Sequence, residues 1–287
     1  MKVASFLKLT PLFMSFLIST TAQAASLKVT SLNVEWYGRG GVISGSPETE
    51  YRDKTLKDFL TKNMPKTDVF VFQEITEPEM LTDLFSELDC FTYDAGTTRH
   101  QYVVMCAEKG SITKTGVNHA VGLGRFGLRS ALLGTFKIKD KADFNVIGVH
   151  LKAGPFDTAV RLNQIRALAE KVDPSAHTLI IGDLNTFSKE RTGLEKDDNE
   201  LMSDLLKVKN FSEIKNKTPT YFGYKPKVFD RAWGANLSTT SSKVYGPCDE
   251  NFKDSPFADK KFYERFVSDH CALQVEFKLK LKETTAK

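Results

Sequence analysis

This 287-residue chain has only four cysteines, and no internal repeat can be seen along it. No cysteine spacing resembles a zinc site. The longest apolar run, Leu9 to Ile18, is broken by Thr10, Pro11 and Ser15. It falls short of the ~20 apolar residues that a membrane-spanning helix needs. Charge of either sign is nearly balanced, with 40 basic against 36 acidic residues, which permits an anionic substrate without requiring one. At 41% hydrophobic and 26% charged, the composition is that of a soluble globular protein and excludes bulk disorder.

What the first two dozen residues do contain is the pattern of a secretory signal peptide. Lys2 and Lys8 precede the apolar run, and Ala22-Gln23-Ala24 supplies a small-residue cleavage site,. The expected organisation is a signal peptide over 1–24 and one domain over 25–287, secreted or periplasmic. Losing Lys2 and Lys8 lowers the formal charge from +4 to +2. In an oxidising compartment four cysteines suggest two disulfides. Cys90 to Tyr93 and Gln101 to Cys106 read as a hairpin that brings Cys90 to Cys106, which leaves Cys248 for Cys271.

Along the chain, strand-like and helix-like stretches alternate. Leu27 to Val34 reads as a strand with Asn33 near its end, and Glu50 to Leu60 as a helix. Val69 to Phe72 has the continuous apolar character of a strand buried on both faces, and Gln73-Glu74 follows at its tip,. Thr76 and Glu79 suggest a capping box for a helix with the stripe Met80, Leu81, Leu84, Phe85 and Leu88. Further strands are expected at Leu128 to Ile138, with Arg129 near the start, and at Phe144 to Leu151, with His150 near the end. Asp157 is placed to cap a helix whose buried face is Val160, Leu162, Ile165, Leu168, Ala169 and Val172. A short strand then ends in Gly182-Asp183-Leu184-Asn185, a short helix covers Asn199 to Val208, and Phe229-Asp230-Arg231 opens another strand. Ser268-Asp269-His270 leads into the last strand, Ala272 to Leu279. Such alternation predicts an α/β fold with two sheets packed together and helices outside.

The polar residues that interrupt this pattern recur at strand ends, where layered folds gather their sites. Asn33, Gln73-Glu74, His150, Gly-Asp183-Leu-Asn185, Phe-Asp230-Arg231 and Ser-Asp269-His270, in this order, resemble the endonuclease/exonuclease/phosphatase superfamily, to which deoxyribonuclease I belongs. The resemblance implies a four-layered sandwich of two mixed β-sheets flanked by helices, and metal-dependent cleavage of phosphate esters. Phosphodiester hydrolysis needs charge neutralisation, an activated water and a proton for the leaving oxygen. Glu74 is the expected Mg²⁺ ligand, with Asn33 beside it and Asp269 as a second carboxylate; Mn²⁺ or Ca²⁺ are alternatives. His270, oriented by Asp230, and His150 on the opposite side of the phosphate are the expected proton carriers. Asp183 would position or deprotonate the water, and Asn185 would stabilise the transition-state charge. Arg129, matched to a phosphate-contacting arginine of the family, and Lys152 are the expected substrate contacts.

One departure from the family pattern is His100 before Gln101-Tyr102, where the family has a glutamate that orients the histidine matched by His150. The leading expectation is a nuclease acting on DNA, with RNA as a second substrate. Val149-His-Leu-Lys-Ala-Gly154 followed by Arg161-x-x-Gln164 resembles secreted bacterial nucleases. A phosphatase or a sphingomyelinase-like phospholipase C would share the metal site, but a lipid enzyme should carry an apolar docking hairpin, and none stands out. A non-catalytic or toxin-like module on the same fold would be favoured by loss of Glu74 or of either histidine, and all three are present. No protein partner and no stable membrane association are expected.

Overall fold

Alternating apolar and polar residues build the strands of two sheets, and wider apolar stripes build the helices that cover them. The computed structural model describes residues 26–38, 47–93, 101–118, 128–137, 143–223, 225–253 and 255–279. Its first half contains β1 (Ser26–Tyr37), α1 (Pro47–Lys62), β2 (Val69–Ile75), α2 (Pro78–Leu84), β3 (Leu88–Thr92), β4 (Tyr102–Glu108), β5 (Ile112–Asn118), β6 (Ala131–Phe136) and β7 (Phe144–His150). The second half contains α3 (Thr158–Lys171), β8 (Thr178–Asp183), α4 (Lys189–Thr192), α5 (Asp198–Lys207), β9 (Ser212–Glu213), β10 (Asp230–Ala235), β11 (Leu237–Tyr245), α6 (Lys260–Phe266) and β12 (Ala272–Leu279).

One sheet has the order β11-β12-β1-β2-β4-β3 and the other β5-β6-β7-β8-β10-β9. Each holds one parallel pair, β1 with β2 and β7 with β8, among antiparallel neighbours. Between the sheets lies an apolar layer that includes Val29, Val71, Met105, Val146, Ile181 and Val275. On the outer face of the first sheet, Leu56, Phe59, Leu81, Phe85 and Tyr263 from α1, α2 and α6 pack against Phe70 and Phe72. On the outer face of the second, Ile165, Leu168, Met202 and Leu206 from α3 and α5 cover Ile147, Ile180 and Trp233. The four-layered α/β sandwich expected from the motif order is therefore the observed architecture.

Both disulfides form as expected, Cys90–Cys106 across the β3–β4 pair and Cys248–Cys271. Residues 1–24, read above as a signal peptide, and His100 lie outside the described residues.

Local signals were overridden in several places. The capping box of α2 does not form: Glu77 is the N-cap, and the Thr76 hydroxyl donates to the Tyr37 carbonyl at 2.9 Å. That helix stops at Leu84, and Leu88 opens β3 instead of extending the stripe. Asp157 stands at the N-cap of α3 but its carboxylate faces Lys152 Nζ at 3.0 Å. Strand β6 starts at Ala131, which leaves Arg129 ahead of it. β11 escaped the pattern because Ser-Thr-Thr-Ser-Ser is polar on both faces, as an edge strand tolerates,.

Candidate active site

The two parallel strand pairs deliver their last residues to one region. In the second sheet, His150 is paired in register with Asp183, and Asp183 with Asp230. In the first, Asn33 lies opposite Gln73, with Glu74 next along β2. The sheets meet through Asn33, whose Nδ2 donates to Glu74 Oε1 and to Asp183 Oδ2, both at 3.1 Å. Its amide orientation is set from behind, because Oδ1 accepts the Glu35 backbone N–H at 3.0 Å,.

Backbone strain concentrates here. Glu35, Trp36, Glu74 and Asn185 have φ of 41°, 53°, 61° and 48°, the left-handed region that such residues avoid,. Each costs of order 1–3 kcal/mol and persists only where the surroundings impose it. The consequence is positional: strands β1 and β2 bulge between Asn33 and Tyr37, and Glu74 turns out of its ladder. Gly182 has φ of 151°, and a Cβ there would lie 2.0 Å from the Val149 carbonyl oxygen. Only glycine lets β8 approach β7 closely enough to set Asp183 beside His150.

The acid and base groups are almost completely enclosed. Asp183 is 2% exposed, and burial raises its carboxyl to about 6, against the pull of His270 and of its hydrogen bonds from Asn185 and Asn33. Burial alone would lower His270, but Asp230, hydrogen-bonded to its Nδ1 at 2.8 Å, together with Asp183 and Asp269, pushes it up to about 10. His150 is driven well below its ordinary value by burial and by the positive charges of Arg129 and His270. Its Nε2 lies 3.5 Å from Asp183 Oδ2 and 3.6 Å from Glu74 Oε1, and its Nδ1 has no hydrogen-bond partner among the described residues. The site thus pairs a cationic histidine with a neutral one, on either side of a carboxyl that titrates near neutrality.

With this geometry the comparisons agree. Residues 31–270 match the model of the Endonuclease/Exonuclease/phosphatase family. The chain belongs to this family. Among solved structures, the endonuclease/exonuclease/phosphatase family protein of Bacteroides thetaiotaomicron superposes with a TM-score of 0.66 at 16% identity, over 90% of this chain and 100% of that one. A functionally unknown conserved protein from Enterococcus faecalis V583 gives 0.63 at 16% identity, over 88% of this chain and 100% of that one. TDP2 of D. rerio, complexed with a single strand DNA product, gives 0.62 at 14%, over 88% and 99%. At such identities the likeness is one of fold. No curated protein matches the sequence.

Enzymes of the Endonuclease/Exonuclease/phosphatase family generally use divalent metals, and the donor set here suits a hard cation. Glu35 is raised to about 7, first by burial and then by the charges of Asp269 and Glu74, with Arg52 opposing. Asp269 is raised by burial and by Glu74, with His270 opposing. Three carboxyls that repel one another in a half-buried pocket are what a divalent cation relieves. Among the described residues no three His, Cys, Asp or Glu side chains stand close enough to hold a metal by themselves. Any divalent cation held here would therefore complete its coordination with water or substrate oxygens.

The remaining expected residues separate into two kinds. Arg129 is buried behind the site, its Nη2 donating to the Leu151 carbonyl at 2.9 Å and its Nη1 to Gln101 at 3.3 Å. Asn185 Nδ2 donates to the same Leu151 carbonyl at 3.3 Å. Lys152 is half-buried, with Nζ between the Ala153 carbonyl and Asp157.

Sequence reading missed three residues of the site. Glu35 was legible only as a neighbour of Asn33, because nothing in the sequence announces the bulge that turns it inward. Ser268 Oγ donates to the Asn33 carbonyl at 2.6 Å and accepts the His270 N–H at 3.0 Å, and its place in Ser-Asp-His was a signal. Thr220 Oγ1 accepts the N–H groups of Phe229 and Asp230 at 3.1 and 2.9 Å, from a segment with no pattern at all.

Proposed function

We propose that this protein is an exported, Mg²⁺-dependent nuclease that hydrolyses phosphodiester bonds of DNA, with RNA as a second substrate. The observation that carries the reading is the environment of Asp183. One carboxylate lies 3.5 Å from His150, 3.9 Å from His270 and 3.1 Å from Asn33. A base that titrates at about 6 is matched to removing a proton from water near neutral pH. His270, held as an imidazolium by Asp230, supplies positive charge and a proton towards the leaving oxygen. His150, kept neutral, holds a non-bridging oxygen from the opposite side, and the Asn185 amide donates to the developing charge. Glu74 and Asp269, with the second lone pair of Asn33 Oδ1, are the groups that would hold the metal. When bound, the metal supplies charge neutralisation to the phosphoryl oxygens.

Nucleic acid is favoured over lipid by two further points. The D. rerio TDP2 structure of the same fold carries a single strand DNA product. Among the described residues, the exposed large apolar side chains, Tyr51, Tyr93, Phe156, Leu194 and Val208, come from five separate segments and form no docking hairpin,. Among the described residues no helix is long and apolar enough to cross a membrane. Export is supported by the two disulfides, which persist in oxidising compartments,.

The test is turnover by purified protein on plasmid DNA, RNA, sphingomyelin and a phosphomonoester, with Mg²⁺ and with EDTA. Nicking of DNA that EDTA abolishes is expected. Faster hydrolysis of sphingomyelin or of the monoester, with both nucleic acids left intact, would sink the nuclease reading.

A further inference from the structure

Beside the catalytic residues the segment after Asn185 and the segment before Asp230 enclose a cavity of about 520 Å³. Its walls include Thr186, Phe187, Arg191, Lys225, Lys227 and Arg231. Two acids, Glu190 and Asp197, also line it. Asp197 is occupied, since its carboxylate accepts the Glu200 N–H at 2.8 Å as the N-cap of α5. Arg231 is occupied too, donating to Thr186 at 2.9 Å and to Glu213 at 3.0 Å.

Lys227 is different. Its ammonium sits over three rings, 4.9 Å from the centroid of Phe229, 5.2 Å from Phe187 and 5.6 Å from Tyr221. It makes no ion pair among the described residues. Burial and the charge of Arg191, which lines the same cavity, both lower its pKa. Aromatic faces hold a cation in place but leave its charge uncompensated, which an incoming anion would correct. The cavity is also one side chain from the chemistry. Phe229, which carries the Lys227 ammonium, has its centroid 6.1 Å from the His270 ring, and Tyr221 lies 5.1 Å from the same ring.

We propose that this cavity is a subsite for a second phosphate of the substrate, the one next to the scissile phosphate, clamped by Lys227 and Arg191. The attached sugar and base lie against the apolar wall formed by Phe187, Pro226 and Val228, a combination of charge and ring surface that suits a nucleotide. This rests on the nuclease reading for the identity of the ligand, and it makes a polynucleotide a better substrate than any compound with one phosphate. The lipid headgroup of sphingomyelin, which has a single phosphate, leaves the subsite empty.

The experiment is isothermal titration calorimetry of the full chain with Mg²⁺, comparing thymidine 3′,5′-bisphosphate with thymidine 5′-monophosphate. The native protein should prefer the bisphosphate by about tenfold or more, the gain expected of one added charge-assisted contact. Lys227→Gln and Arg191→Gln should each reduce that preference to about threefold or less, whereas Lys171→Gln, at the far end of α3, should keep it and so exclude a general effect of charge. Equal affinity for the two ligands in the native protein, or an unchanged preference in both variants, would overturn the subsite. A chain that shows the preference and its loss, yet cleaves neither DNA nor RNA, keeps the subsite and forfeits the nuclease reading.

Discussion

Arg161 and Asp198 form a fully buried ion pair, Nε to Oδ2 at 3.0 Å, that ties together the loops following His150 and Asn185. Arg161 Nη1 also donates to the carbonyls of Lys152 and Gly154, at 2.9 and 2.6 Å. Asp198 in turn accepts the Phe187 N–H at 3.0 Å and the Thr158 hydroxyl at 2.7 Å. One clamp therefore ties the segment that follows His150 to the segment that follows Asp183 and Asn185. Removing one partner leaves a charge without compensation in the interior. Asp198→Ala is expected to cost ~3–5 kcal/mol in urea unfolding. A loss under about 1 kcal/mol would mean that the pair contributes little, as surface pairs do.

Gly182 is a second point where the fold constrains the site. Gly182→Ala drives a methyl group into the Val149 carbonyl, 2.0 Å away, at a φ that only glycine adopts freely,. Backbone cannot yield as a flexible side chain can, so β7 and β8 must separate. Expected is a fall in thermal midpoint together with loss of activity, the destabilisation being ~2 kcal/mol or more. A variant with native midpoint and native turnover would show that the strands have slack there.

The His270–Asp230 pair predicts a pH dependence of stability with a definite sign. The folded value of about 10 lies above the ordinary histidine value of 6.5. Stability from this pair is fully present below 6.5 and is lost as pH rises towards 10, because over that window the folded chain holds a proton that the unfolded chain has released. His270→Gln should flatten the decline between these pH values in denaturant titrations. An identical slope in native and variant chains would contradict the pairing.

Activity should follow Asp183 instead. If its carboxylate is the base, turnover rises with pH through about 6 and Asp183→Asn abolishes that limb along with most of the rate. Proton carriers of this kind contribute ~10² to 10⁴ in rate, and His270→Ala should lose an amount in that range. A pH–rate profile flat between 5 and 8 would remove Asp183 from the role of base.

Glu74→Gln tests the metal. Mg²⁺ should raise the thermal midpoint of the native chain by mass action, and this shift should shrink in the variant. Without metal, the variant is expected to be at least as stable as the native chain, since the substitution relieves the repulsion that Glu74 exerts on Glu35 and Asp269. Equal Mg²⁺-induced shifts in both proteins would dismiss Glu74 as a ligand.

The sequence by itself determined most of the strands, though not β5, β9 or β11, together with the order of the motifs and the two disulfides. Continuous apolar runs such as Val69 to Phe72 can satisfy their burial only inside a covered sheet, and a carboxylate at such a strand's end must emerge where the core stops. Arg161 shows where that logic fails. Reading α3 by apolar spacing gave Val160 and Leu162 to the core, yet both are half-buried while Arg161 and Gln164 are enclosed. Spacing locates a face but not the partner that makes a buried charge affordable, and Asp198 comes from a separate helix. The bulge at Glu35, the left-handed turn at Glu74 and the ring box around Lys227 belong to the same category. Each depends on segments far apart in the chain meeting at van der Waals distance, so tertiary structure alone decided which polar residues line the site and what charge each one carries.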